Sequence, residues 1–367
     1  MTIYPFAEKS RLKWLVAASL ASLISTPVLA KQKACVFDIV GANGPAFAMA
    51  KDFVLAMQKV DPGIDIELKA YTDERVAAED FRTGQCDAVA ASSFRTKPYN
   101  LLTATVDALG ATTVARDGKI DMEASYEILH RAIKIFSSPA ASSMMVQGQY
   151  EVAGIVPIGA AYPIVNDRAI NSVEAAAGKR IAALDIDKVQ TMTITRIGGQ
   201  PVASDITNFA TKFNNGNVDV IFAPALAYKP LELYKGIGTK GAISRMPVTF
   251  LTYQIIINKT KFPAGAGLKS RQYWLTQFEP TMKLIRKAEA ELPAKVWMEI
   301  PPKDLTRYIQ LLRDGRVEIA EEGLYDKRAL KILKRIRCDL SPTDPECTSS
   351  AEIEWPDKPK AGAFGAR

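Results

Sequence analysis

The chain carries one histidine, His130, and it lies in the helical stretch Tyr126-Glu-Ile-Leu-His-Arg-Ala-Ile133, away from any serine or cysteine elbow. That excludes a histidine-dependent nucleophilic triad and a histidine-rich zinc site. Asp185 and Asp187 stand two residues apart without a third group to share their work, so a carboxylate hydrolase has little to rest on. The sequence therefore reads as a binding protein and not an enzyme. Polar and aromatic residues at the ends of apolar runs are better suited to holding a ligand. Asp38 sits inside an apolar run between Phe37 and Ile39, where a carboxylate is costly unless paired. Arg75 follows a polar loop, and Ser92, Ser93 and Arg95 follow the run 86–91. Tyr162 and Arg168 follow the run 152–158, and Phe222 closes the run 218–223 beside Pro224. Guanidinium groups and hydroxyls placed like this could clamp an anionic solute.

Those residues need a scaffold that brings chain ends together. Residues 64–70 alternate as a strand, 75–82 form a helix with Val76, Ala77 and Phe81 on one face, and 86–91 form a short apolar strand. This is a βαβ unit, and its parallel sheet places ligands beyond the carboxyl ends of the strands. Residues 34–40 read as a first buried strand, followed by Gly41-Ala-Asn-Gly44-Pro45 and a helix over 46–60. That glycine turn lacks a phosphate-loop ending, but a helix N-terminus near a site favours anions. Further helices are expected over 122–136, 191–197, 205–213, 228–235, 271–292, 303–314 and 326–336, and strands over 152–158, 218–223 and 248–258. Two modules match: helix, Arg82-Thr-Gly-Gln-Cys-Asp87, strand, and helix, Phe213-Asn-Asn-Gly-Asn-Val-Asp219, strand. One copy per lobe gives a two-lobed α/β protein with mixed, mostly parallel sheets flanked by helices. The expected division is signal peptide 1–30, lobe I 31–147, lobe II 148–237, a hinge-crossing strand within 238–260, C-terminal helices 261–347, and a disordered tail 348–367.

Residues 1–30 have a basic start (Lys9, Arg11, Lys13), an apolar centre over 15–24 and Val28-Leu29-Ala30 before a cleavage point. This is the pattern of a secretory signal, and the apolar run is too short to span a bilayer comfortably. Removing it leaves 44 Lys and Arg against 39 Asp and Glu, a net charge of +5 spread along the chain. No basic stripe interleaves with aromatics, so nucleic acid is not an expected partner. The expected location is the periplasm. Four cysteines in an exported chain suggest two disulfides in place of free thiols, and their spacings do not fit a zinc ribbon. Cys338 and Cys347 flank a short loop, while Cys35 and Cys86 open neighbouring strands, giving the pairs Cys35–Cys86 and Cys338–Cys347.

The order of elements resembles bacterial periplasmic solute-binding proteins, in particular the receptors of tripartite ATP-independent periplasmic (TRAP) transporters. The matching stretches are residues 79–89, 173–183, 205–223 and 228–235. The stretches Cys35-Val-Phe-Asp-Ile-Val-Gly41 and Ala70-Tyr-Thr-Asp-Glu-Arg-Val-Ala-Ala-Glu-Asp-Phe81 carry a nearer likeness to a small group of solute-binding proteins. Some of that group bear a resistance-nodulation-division efflux label. A pump subunit of that class needs many spanning helices, which the sequence after the signal does not offer. The resemblance implies capture of a small organic solute, an anion among the candidates, between two lobes for membrane transporter subunits, by a monomer without cofactor or metal. The alternative is an accessory protein of an envelope or efflux complex with no small-molecule ligand. The transporter receptors keep a carboxylate-clamping arginine at the position that aligns with Ala182, so an anion here would fall to Arg75, Arg95 or Arg168. Of these, Arg95 is first choice because Ser92 and Ser93 adjoin it.

Overall fold

The computed structural model describes residues 1–2 and 31–355, without the side chains of residues 302 and 303. The expected signal sequence therefore lies outside the described residues, apart from residues 1–2. Among the described residues no helix is long and apolar enough to cross a membrane.

Strand β1 (Gln32–Phe37) is the centre of lobe I. It leads into helix α1 (Pro45–Val60), which begins on a proline, the residue whose missing N–H costs nothing in a first turn. Strand β2 (Ile66–Tyr71), helix α2 (Glu74–Arg82) and strand β3 (Ala88–Ser92) complete the expected βαβ unit. Both β2 and β3 lie parallel to β1, in registers Gln32↔Ile66 and Ala34↔Ala88. Helix α3 (Met122–Phe136) buries seven residues, including Tyr126, Leu129 and Ile133, against this lobe.

Strand β4 (Tyr150–Val165) is far longer than the sequence suggested. The expected strand ends at residue 158, before Gly159 and Pro163, but in the fold it runs on through both. Gly159 has φ +116°, a conformation that side chains resist, and the register with the neighbouring strand shifts close by. Lobe II follows with β5 (Arg180–Leu184), helix α4 (Lys188–Arg196), β6 (Gln200–Ser204), helix α5 (Phe209–Asn214), β7 (Val220–Ala223) and the short β8 (Ala242–Ser244). Residues 228–235 are mostly turns, because Pro230 and Glu232, at φ +51°, stop a helix from running through them.

Strand β9 (Thr249–Asn258) pairs antiparallel with β3 on one side and with β4 on the other. The sheet order is β2-β1-β3-β9-β4-β7-β5-β6. The strand common to both lobes is thus β4: its first part pairs with β9 and its last four residues with β7. Residues 238–260 pass between the lobes as well, since β8 pairs with the lobe II end of β4 and β9 with β3 of lobe I.

The C-terminal helices are α6 (Ala266–Thr276), α7 (Phe278–Ala290), α8 (Pro302–Glu321) and α9 (Lys327–Leu340). The single helix expected over 271–292 breaks at Gln277, where Pro280 can sit only in the first turn of a new helix. The tail expected from residue 348 is not what the fold shows over residues 348–355. Glu352 is fully buried and ion-pairs with Arg316 and Arg337, so residues 348–355 belong to the fold. Residues 356–367 lie outside the described residues. Both disulfides form as expected, Cys35–Cys86 and Cys338–Cys347.

The two matching modules use their aspartates identically. Asp87 accepts from the Lys33 backbone N–H and Asp219 from that of Arg180, each at 2.9 Å. Each aspartate N–H in turn donates to the carbonyl of the same partner. The Arg180 guanidinium also grips Asp219 and, against partial burial, holds its carboxyl down to about 2. In both lobes an aspartate therefore pins the start of one strand to its parallel neighbour.

Candidate functional site

The carboxyl ends of β1 and β3 in lobe I face those of β5 and β7 in lobe II across a cavity of about 280 Å³. Lobe I contributes Phe37, Asp38, Ser92, Phe94, Asp107 and Leu109 to its wall. Lobe II contributes Ala182, Leu184, Asp187, Gln190, Phe209 and Phe222. The shared strands add Ala161, Thr249, Leu251 and Tyr253, and the turn before α9 adds Tyr325. This is the topological position where open α/β sheets bind ligands.

Asp38 is on that wall but already committed. Its carboxylate accepts from the backbone N–H groups of Val40 (2.9 Å), Ala46 (2.8 Å) and Phe47 (3.2 Å). It thereby saturates the positive end of α1. Gly44 is required beside it, because a Cβ there would fall 1.9 Å from Asp38 Oδ1. Ser92 also lines the cavity. Its N–H meets Glu74 Oε2 at 3.3 Å. Its hydroxyl is close enough to the Glu74 carboxylate to stabilise the charge, yet makes no hydrogen bond of acceptable geometry. Phe222 presents its ring to the same cavity.

The other five expected residues turn elsewhere. Arg75 is exposed and pairs with Asp73, the N-cap of its own helix. Ser93 donates to the buried Asp107 carboxylate, behind the wall. Arg95 Nε lies 3.5 Å from Glu74 Oε1, so the preferred clamp is the counter-ion of a buried glutamate. Tyr162 donates to Glu289 on α7 at 2.8 Å and meets Trp297 edge-on. Arg168 donates to the carbonyls of Lys295 and Trp297 and ties down that segment. Arg95→Ala should therefore lower stability by about 1–3 kcal/mol through Glu74, in urea melts, while changing affinity for a cavity ligand less than twofold.

Asp107 and Tyr325 are wall residues with no reading in the sequence, and Asp187 was considered there only as a carboxylate beside Asp185. Asp107 lies in the apolar stretch 101–111, so the cost argument applied to Asp38 applies to it equally. It accepts from Thr252 N–H (2.7 Å), from the Thr252 hydroxyl and from Ser93. Burial outweighs these donors and pushes its carboxyl up to about 7. Asp187, which caps α4, is also pushed up by burial, against Lys97. Lys97 Nζ reaches it at 3.6 Å from the other lobe, so an ion pair spans the cavity margin. Tyr325 comes from the C-terminal helices and shows no local signal at all.

Asp107 makes a pH prediction. The folded state favours its protonated form, so its ionisation costs stability as pH rises from the ordinary carboxyl value, about 4, to 7. Thermal melts of Asp107→Asn should lack the part of the wild-type decline across that window that is due to this residue.

The fold and the interlobe cavity together define the class of two-lobed solute-binding receptors. Residues 58–352 match the model of the AdeT 1/2 solute-binding protein family. The relative named "Probable solute-binding protein AdeT1" in Acinetobacter baumannii is 42% identical over 86% of this chain and 100% of its own length. A second from the same organism, "Probable solute-binding protein AdeT2", is 25% identical over 59% of this chain and 92% of its own. The chain belongs to the AdeT 1/2 solute-binding protein family. Its fold is shared with TRAP periplasmic solute-binding proteins at 12% identity. One from Desulfovibrio salexigens, with bound orotic acid, has a TM-score of 0.66 over 84% of this chain and 99% of that one. Another, from Shewanella oneidensis with bound succinate, has a TM-score of 0.64 over 84% and 100%.

Proposed function

We propose that this protein is a periplasmic receptor that closes two lobes around an organic solute and delivers it to membrane transporter subunits, acting as a monomer and without catalysis. The observation that carries the reading is the shared cavity, whose wall neither lobe completes alone. Asp38, Ser92 and Phe222 are its contacts among the residues read from sequence, joined by Ala182, Leu184, Asp187 and Tyr253. The Lys97–Asp187 pair across the margin suits a closed state, since hinge closure brings such groups within reach.

A thermal-shift screen of metabolites on the mature chain tests this. A solute-specific rise in melting temperature is expected, because a ligand that binds only the folded state stabilises it by mass action. Ala182→Phe, which fills the cavity from β5, should weaken that solute at least tenfold by calorimetry with circular dichroism unchanged. A broad screen without a hit would favour the accessory role in an envelope or efflux complex.

A further inference from the structure

The cavity wall has a charge pattern that bears on the class of solute, on the receptor reading just given. Its charged residues among the described lining are Asp38, Asp107 and Asp187, with neither lysine nor arginine. Nearby cations are engaged behind or beside it: Lys97 with Asp187, Arg95 with Glu74 and Arg75 with Asp73. The N-terminus of α1, which could have offered backbone N–H groups to an anion, has given those of Ala46 and Phe47 to Asp38. A ligand carboxylate would therefore enter a poorly solvated space whose acids are capped at Asp38, paired at Asp187 and buried at Asp107, and would find no free counter-ion. A carboxylate also pays a large desolvation cost unless paired.

The rest of the surface is apolar, with Phe37, Phe94, Leu109, Phe209, Phe222 and Leu231 prominent in it. A second chamber of about 300 Å³ adjoins the first and shares Pro45, Ala46, Ile158, Leu226 and Tyr253 with it. Among the described residues its charged lining is Lys287 and Glu291, which lie 3.9 Å apart, and Glu291 also holds Lys229. The space thus continues as apolar surface and not as an ion-binding end. One polar group in the first chamber is incompletely satisfied: the hydroxyl of Ser92, a residue 7% exposed, lies beside the Glu74 carboxylate without a well-aligned hydrogen bond. A buried hydroxyl left so is poised for one hydrogen bond from a ligand.

We infer that the cleft takes an uncharged, predominantly apolar solute bearing a single hydrogen-bonding group at Ser92, in place of the organic acids that the structural neighbours hold.

The test uses the full mature chain and one apolar body carried in three charge states: naphthylethanol, naphthylethylamine and naphthylacetate. Succinate and orotate serve as acids, and thermal-shift libraries of uncharged apolar compounds and of organic acids run beside them. Calorimetry should rank the alcohol at least about tenfold above the acetate, the scale set by one unpaired like-charge contact. Ser92→Ala should weaken the alcohol about three- to tenfold and leave plain naphthalene unchanged. Acid hits, or an acetate as tight as the alcohol, would overturn this inference and leave the receptor reading standing. An amine tenfold tighter than the alcohol would overturn the uncharged class, because the wall carboxylates would then act as counter-ions. Silence from every compound would bring down both readings together.

Discussion

Glu352→Ala should lower the unfolding free energy in urea by about 3–5 kcal/mol, the cost of leaving a buried counter-charge unpaired. Glu352 is 0% exposed and sits between two arginines that are nearly as buried. Arg316 Nε reaches Glu352 Oε1 at 2.7 Å, and Arg337 Nη2 reaches Oε2 at 2.9 Å. Arg337 also grips Glu346, so the cluster joins α8, α9 and residues 346–352. The arginines then reach the cavity loop: Arg316 donates to the Leu109 carbonyl at 2.6 Å and Arg337 to that of Ala111. Leu109 lines the cavity, so the loss should also loosen ligand binding. The pH dependence has a definite sign. Burial pushes the Glu352 carboxyl up, but Arg316 and Arg337 together outweigh it and hold it at about 2. Its contribution is complete above the ordinary glutamate value, about 4.3, and is lost as pH falls towards 2. Glu352→Gln should therefore flatten the acid limb of the stability curve. Unfolding energies within about 1 kcal/mol of wild type would show that the cluster is relaxed or solvated.

This cluster explains why the tail was misread. Residues 348–355 have no periodicity, and what orders them is a charge met by side chains 15 and 36 residues away. Arg316 and Arg337 look like ordinary charges on amphipathic helices, and their burial depends on what folds over them. The βαβ unit was legible because every step is local: alternation in β2, the apolar face of α2, and the Thr83-Gly84 turn. The repeated aspartates were legible too, although their job, pinning strand to strand, only the register reveals. Strand β4 was half-read, since proline and glycine signal breaks unless the sheet bends around them. The candidate site was legible by position more than by residue. The strand-end rule led to Asp38, Ser92 and Phe222, all on the wall. It could not tell that Arg95 and Arg168 would find partners of their own, because a buried glutamate at 74 or a carbonyl at 295 leaves no mark near the arginine. Ala182, set aside as the missing clamp, proved to be a wall residue.

Removal of the Cys35–Cys86 disulfide, as Cys35→Ala with Cys86→Ala, should cost about 4 kcal/mol for a closed loop of 51 residues. The loop spans β1, α1, β2 and α2, so the unfolded chain regains freedom across nearly the whole βαβ unit. The bond also lies close to the site. Cys35 is in β1, three residues before Asp38, and Cys86 comes just before β3, which ends at Ser92. Both cysteines are buried, and alanine keeps the space apolar, so the folded state should survive with its register held by β1–β3 pairing. The expected result is a lower urea midpoint with an intact circular dichroism spectrum at low temperature, and a ligand affinity reduced less than the stability. The Cys338–Cys347 pair closes 9 residues and should cost about 2.5 kcal/mol when removed. It anchors the segment that delivers Glu346 and Glu352 to the arginines, so its removal and Glu352→Ala should be less than additive. The Cys35–Cys86 change, in lobe I and away from the C-terminal cluster, should add to Glu352→Ala in full. Equal costs for the two disulfides would mean that the bonds act through native contacts and not through the length of chain they close, whereas full additivity for the C-terminal one would mean that it does not act through the arginine cluster.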